Sequence, residues 1–186
     1  MVASRLGSSA AATLWKTLVT VQDLHTVSMP SNDNDIKAMS LAIEASERAA
    51  ANGDGPFGAT LVSPDGDILL VASNNTKTAA DCTGHAEMVP VREAQKQFGL
   101  PALRGVTVFA SGKPCAMCAG ALFWAGVGRI VFAASQADII RALGASPAMP
   151  INSRTTLTGA QPAVQIDGPL LGGEAYAVLK RVGDAR

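Results

Sequence analysis

The chain has 186 residues, 48% of them apolar and 16% charged, enough for one domain with its own core and too apolar for a disordered segment. Lys+Arg and Asp+Glu both number 15, so the sequence lacks the basic surplus expected of a protein that grips nucleic acid through its phosphates. Its longest run without charged or strongly polar side chains, Cys115 to Gly128, is too short to cross a bilayer and suits a buried helix.

Residues 1–28 are rich in Ser, Ala and Thr, carry Arg5 and Lys16, and hold no acid before Asp23. An organellar transit peptide has that flavour, but we read the segment as an upstream extension, with a domain over 29–186 and a cytoplasmic protein. Lys16 interrupts the apolar stretch and argues against a secretory signal. Beyond the Pro-Ser-Asn-Asp stretch, Ile36, Met39 and Ile43 recur at helical spacing, with Glu44, Glu47 and Arg48 facing away. Gly53 and Gly55 end that helix.

Phe57 to Ser63 and Asp67 to Asn74 are β-rich runs around the turn Pro64-Asp65-Gly66 and predict a hairpin. A helix is expected from Gly84 to Phe98, where Pro90 falls past the first turn and should kink it. Val106 to Ala110 predicts a third strand, Cys115 to Ala125 a helix, Arg129 to Ala134 a fourth strand and Gln136 to Leu143 another helix. Residues 144–162, with three prolines, read as irregular. Val164 to Ile166 predicts a short fifth strand, and Glu174 to Val182 a closing helix. A hairpin followed by alternating helices and strands implies an α/β fold, a three-layer α/β/α sandwich on a mixed five-stranded sheet.

Two segments carry chemistry: His85-Ala86-Glu87 and Pro114-Cys115-Ala116-Met117-Cys118. The three cysteines are too few for a disulfide framework, and a CxxC pair points to metal or redox work in a reducing compartment. At a helix start, CxxC spacing lets both sulfurs face one point while the helix dipole favours thiolate. With His85, Cys115 and Cys118 make a three-ligand set for zinc that leaves the fourth tetrahedral position open, as catalytic zinc sites do. Glu87, two residues past His85, is placed to move protons without ligating the metal. The other candidates are His25, read as a surface residue, and Cys82, read as a small filler that could compete for the metal.

Together the segments reproduce the H-x-E…P-C-x-x-C pattern already known for zinc-dependent nucleobase deaminases. With Gly55-Pro56-Phe57-Gly58-Ala59, Asn74-Asn75, Asp81 to Glu87 and Lys113 to Ala121, the sequence resembles the cytidine deaminase-like superfamily over residues 33–135. Its nearest likeness is to the branch of guanine deaminases and bacterial tRNA adenosine deaminases. That resemblance implies further roles. Asn74 would hydrogen-bond the base edge, the Ala86 backbone N–H would meet a ring atom, and Phe57 and Trp124 would contact substrate. It also implies a homodimer whose C-terminal segment, with Tyr176, helps to close the pocket.

The resemblance fails in one place. Guanine deaminases set an acid after the fourth strand, yet Ile139 to Ile166 contains no Asp or Glu. An amino and imino edge buried without an acceptor is costly, so Asn152 or a backbone carbonyl must substitute, or the substrate is another base or aminated heterocycle. The expected partner is therefore a small base or nucleoside. Editing of adenosine in tRNA and a structural zinc module are the competing readings; the first predicts a basic face at the mouth, the second a fourth ligand from Cys82.

Overall fold

Asn32 opens the first helix: its side-chain oxygen accepts the Asp35 backbone N–H at 2.8 Å. In the computed structural model, which describes residues 32–144 and 149–185, this helix, α1, spans Asp33–Ala51. The expected 1–28 extension and His25 lie outside the described residues. Met39 and Ile43 face inward as expected, together with Ala38, Ala42, Ala45 and Ala49. Ile36 does not; it is 40% exposed, because small residues rather than Ile36 fill the inward stripe.

β1 (Gly58–Val62) and β2 (Ile68–Ser73) form the hairpin, closed by the Gly66 N–H donating to the Ser63 carbonyl at 3.0 Å. Next come α2 (Met88–Phe98), a short 3-10 turn at Leu100–Leu103 and β3 (Thr107–Gly112). α3 (Ala116–Ala125), β4 (Arg129–Ala134) and α4 (Gln136–Leu143) follow. The irregular stretch contains one helical turn, α5 (Ser153–Thr156), before β5 (Gln165–Asp167) and α6 (Gly172–Asp184).

The largest shift from the sequence reading is at the start of α2. α2 begins at Met88 rather than Gly84, which puts Pro90 inside the first turn. There a backbone N–H has no intrahelical acceptor to lose, so the proline does not break the ladder.

The strand order is β2-β1-β3-β4-β5, with β1 antiparallel to β2 and β3, and β3, β4 and β5 mutually parallel. This is the expected mixed sheet. Adjacent residues on its central strands enter different cores, as the two-residue period of a strand requires. Val62, Phe109 and Val131 pack with Met39 of α1 and Val178 and Leu179 of α6. Leu61, Val108 and Ile130 pack with Val91 of α2 and Leu122 of α3. Arg129 ties the layers at one edge, its guanidinium reaching Asp167 at 2.7 Å and Asp35 at 2.9 Å. No helix among the described residues is long and apolar enough to cross a membrane.

α1 lies so close to β1 that a Cβ at Gly58 would stand 2.1 Å from the Ala42 carbonyl oxygen and 2.6 Å from the Ala45 Cβ. Backbone cannot yield there as a side chain can. Gly58→Ala is therefore expected to lower the unfolding free energy by about 3 kcal/mol, the upper part of the range for overpacking, read from denaturant midpoints at unchanged slope. A loss below about 0.5 kcal/mol would mean that α1 floats on the sheet.

Candidate active site

The sheet's topology gathers the site. Because β1 runs against β3, the start of β1, the end of β2 and the end of β3 share one edge: Gly58 faces Ser73, and Ala59 faces Ala110. Phe57, Asn74 and Gly112 therefore lie together, at the carboxyl end of the parallel strands where α/β sheets place their ligands. Asn74 and Phe57 are joined directly, the Asn74 N–H donating to the Phe57 carbonyl at 2.9 Å. Gly112 is required beside them, since a Cβ there would come within 2.9 Å of the Phe57 ring.

His85 is presented by a rigid loop. Asp81 accepts from the Thr83 N–H at 2.8 Å and the Thr83 hydroxyl at 2.7 Å, and pairs with Arg92 of α2 at 3.1 Å. Gly84 is tightly placed, because a Cβ would sit 2.4 Å from the Asn75 Oδ1 and 3.0 Å from the Asp81 carbonyl oxygen, so Asn75 would have to move. Opposite, Cys115 caps α3 and Cys118 lies in its first turn. A single antiparallel bridge joins Cys115 to Asn152.

These loops bring three ligand atoms together: His85 Nδ1 stands 3.7 Å from Cys115 Sγ and 3.5 Å from Cys118 Sγ, and the sulfurs are 3.6 Å apart. Zinc bonds of about 2.3 Å to sulfur and about 2.0 Å to nitrogen, at tetrahedral angles, require edges of about 3.8 Å (S to S) and about 3.5 Å (S to N). The three residues fit a zinc ion on one face of its tetrahedron. Among the described residues they are the only metal-capable cluster of this kind. Neither Cys82 nor Glu87 belongs to it, although both line the same cavity.

The electrostatics agree with a cation site. A hydrogen bond links the two sulfurs, and that bond, aided by His85, holds the Cys115 thiol down to about 4. The same bond, with burial, pushes the Cys118 thiol up. His85 is pushed up by its hydrogen bond to Cys115. A divalent ion would replace the proton shared between the sulfurs, since a coordinated thiol is deprotonated outright. Glu87 is buried, and burial pushes its carboxyl up; its Oε2 lies 3.5 Å from Cys118 Sγ. A carboxyl raised in this way holds a proton more readily than an exposed one, as a group that passes protons in a site should.

The cluster lies in a cavity of about 690 Å³. Phe57, Asn74 and Ala86 line it. Asn74 Oδ1 accepts from the Thr76 N–H at 3.1 Å and its hydroxyl at 2.9 Å, which leaves the amide N–H₂ as the group to offer a ligand. Trp124 does not reach the cavity. It is 81% exposed on the outer side of α3, edge-on to Phe123, because Cys118, Leu122 and Ala125 take the inward phase. Tyr176 is also outside the lining, stacked under Arg141 at 4.3 Å. Cys82 is exposed, not a buried filler.

Asp54 escaped the sequence reading. Its carboxylate accepts the Lys77 and Thr78 N–H groups at 2.7 and 3.1 Å and the Thr78 hydroxyl at 2.7 Å, clamping the loop that holds Asn74 and Thr76. An acid between two glycines was the signal, since such a residue in a loop is free to hold backbone. The apolar wall of Ile139, Ile140, Met149 and Ile151 was also missed.

Residues 32–134 match the cytidine and deoxycytidylate deaminase zinc-binding region. The chain belongs to this deaminase family. A probable cytosine deaminase of Schizosaccharomyces pombe is 33% identical over 156 residues, 82% of this chain and 94% of its own. The guanine deaminase of Bacillus subtilis is 38% identical over 106 residues, 57% of this chain and 65% of its own. A solved structure of the guanine deaminase from Nitrosomonas europaea superposes with a TM-score of 0.68 at 21% identity, covering 97% of this chain and all of that one. The family's cytidine deaminase-like fold is the sandwich described above.

Proposed function

We propose that the protein is a zinc-dependent hydrolytic deaminase that releases ammonia from a free nucleobase, a nucleoside or a related aminated heterocycle. The observation that carries this reading is the three-atom ligand face, whose edges match a zinc tetrahedron, with the buried Glu87 beside it in the same cavity. Zinc, when bound, supplies the Lewis acidity that ionises water near neutral pH. His85, Cys115 and Cys118 hold the ion. Glu87 accepts a proton at its carboxylate and returns it to the departing amine. Asn74 and the Ala86 backbone orient the ring, Phe57 covers its face, and the surrounding apolar groups exclude bulk water.

The competing readings draw less support. A structural module needs a fourth protein ligand, and Cys82 stands apart from the ligand cluster. Editing of tRNA predicts a basic mouth, and Lys113 is the one cation among the described residues that line the cavity. Trp124, exposed on α3, suits a contact between two copies of the chain, in keeping with a homodimer.

The test is ammonia release by zinc-loaded protein across guanine, adenine, cytosine, their nucleosides, aminated triazines and pterins, and a tRNA anticodon stem, with Glu87→Ala as blank. Release from a small compound, absent in the blank, is the expected result. Release from the RNA alone would transfer the chain to the editing enzymes, and silence across the panel would remove the hydrolytic reading.

A further inference from the structure

Among the described residues, three of the eight large apolar side chains left in water meet at one cavity. Ile140 is 44% exposed, Met149 64% and Ile151 39%, and all three line the cavity that holds the ligand cluster. Ile139, half-buried, continues the same wall inward. A patch of this kind, continuous with a binding cavity, marks a surface meant to be covered when the site is filled.

The wall offers little to a polar edge. It holds no carboxylate, since Ile139 to Ile166 contains no Asp or Glu. Asn152 faces the cavity, but its Oδ1 already accepts the Arg154 and Thr155 N–H groups at 3.0 and 3.3 Å, capping α5. Lys113 and Gln136 remain as its other polar side chains. The cavity's 690 Å³ lies within the range of pockets that hold drug-sized ligands, well beyond the needs of one small ring.

We propose that the substrate is an aminated heterocycle extended by an apolar group, an alkyl or aryl substituent remote from the leaving amine, which docks against Ile140, Met149 and Ile151. The inference rests on the deaminase reading and narrows it. Covering the three side chains removes apolar surface from water, so the substituent adds affinity that a bare base cannot obtain. The bridge from Asn152 to Cys115 ties this wall to the backbone of a metal ligand, so the docked group and the ligand face are held by one hydrogen-bonded segment.

A matched series tests it: 1,3,5-triazine-2,4-diamine carrying hydrogen, methyl or phenyl at carbon 6. Ammonia release is measured with zinc-loaded wild type, Ile140→Ser, Ile151→Ser and the conservative Ile151→Leu. Binding of the same compounds to zinc-loaded Glu87→Gln protein is followed by calorimetry. The expected result is that phenyl exceeds hydrogen at least tenfold in kcat/KM and in affinity, that each serine variant reduces this ratio at least threefold, and that leucine keeps it. Both isoleucines are partly exposed, so the serine variants should fold. Graded binding without turnover would uphold the wall and sink the deaminase reading. Turnover without grading would do the reverse. Serine variants that change sedimentation from dimer to monomer and leave the ratio intact would assign the patch to a subunit interface and overturn the proposal.

Discussion

Glu87→Gln should cut ammonia release by about 10²- to 10⁴-fold, the usual contribution of a positioned acid-base group, while zinc stays bound at wild-type stoichiometry. The carboxyl is buried beside Cys118, yet it stands outside the three-atom ligand cluster. Glutamine fills the same volume and cannot carry a proton. The thermal midpoint should hold or rise slightly, because burial disfavours a charge at this position and the amide has none. Zinc content by atomic absorption and initial rates on one substrate separate the outcomes. A rate within tenfold of wild type would show that another group moves the proton. Loss of zinc along with activity would make Glu87 a ligand.

Cys115→Ser should abolish both zinc and activity. A serine hydroxyl does not ionise as the Cys115 thiol does, held down to about 4 by its partners. Zinc affinity should fall by more than about 100-fold, beyond what the loss of an outer hydrogen-bond partner costs. Cys115 is the better choice than Cys118, which is fully buried and whose replacement confounds metal loss with core damage. Because the ion binds only the folded chain, chelation should lower the wild-type melting temperature and leave the variant's unchanged. At free zinc 100-fold above the dissociation constant, the difference amounts to about 2.7 kcal/mol. A variant that keeps zinc and its chelator response would point to a different ligand set.

Much of this site was legible in the residues, for physical reasons that differ from one to the next. Ligand chemistry is local: the CxxC spacing and the helix start at Ala116 follow from a few adjacent residues. β4 and α4 were readable to their ends, the one a β-branched run closed by small residues, the other opened by the Ser135–Asp138 capping box. The start of α2 was misplaced because His85 to Glu87 form a turn, with the Met88 N–H reaching back to the His85 carbonyl at 2.9 Å. Pro90 itself held the better clue, being comfortable only near a helix start. The outward side of Trp124 was not legible because α3 is apolar all round, so its sequence carries no phase to say which side turns inward. The wall of Ile140, Met149 and Ile151 joins residues that only the tertiary fold brings to one cavity. No periodicity could have announced it.

The split of β1 and β3 between two cores bears on what a purified sample can be trusted to report. A one-residue slip between these strands would exchange Leu61 with Val62 and move Phe57 off Gly112. The path from His85 through α2, β3 and α3 to Cys118 does not run through β1. Such a molecule would load metal fully and read substrate badly. Metal content therefore certifies the stretch from His85 to Cys118, and only ligand affinity certifies the seam where the hairpin meets it.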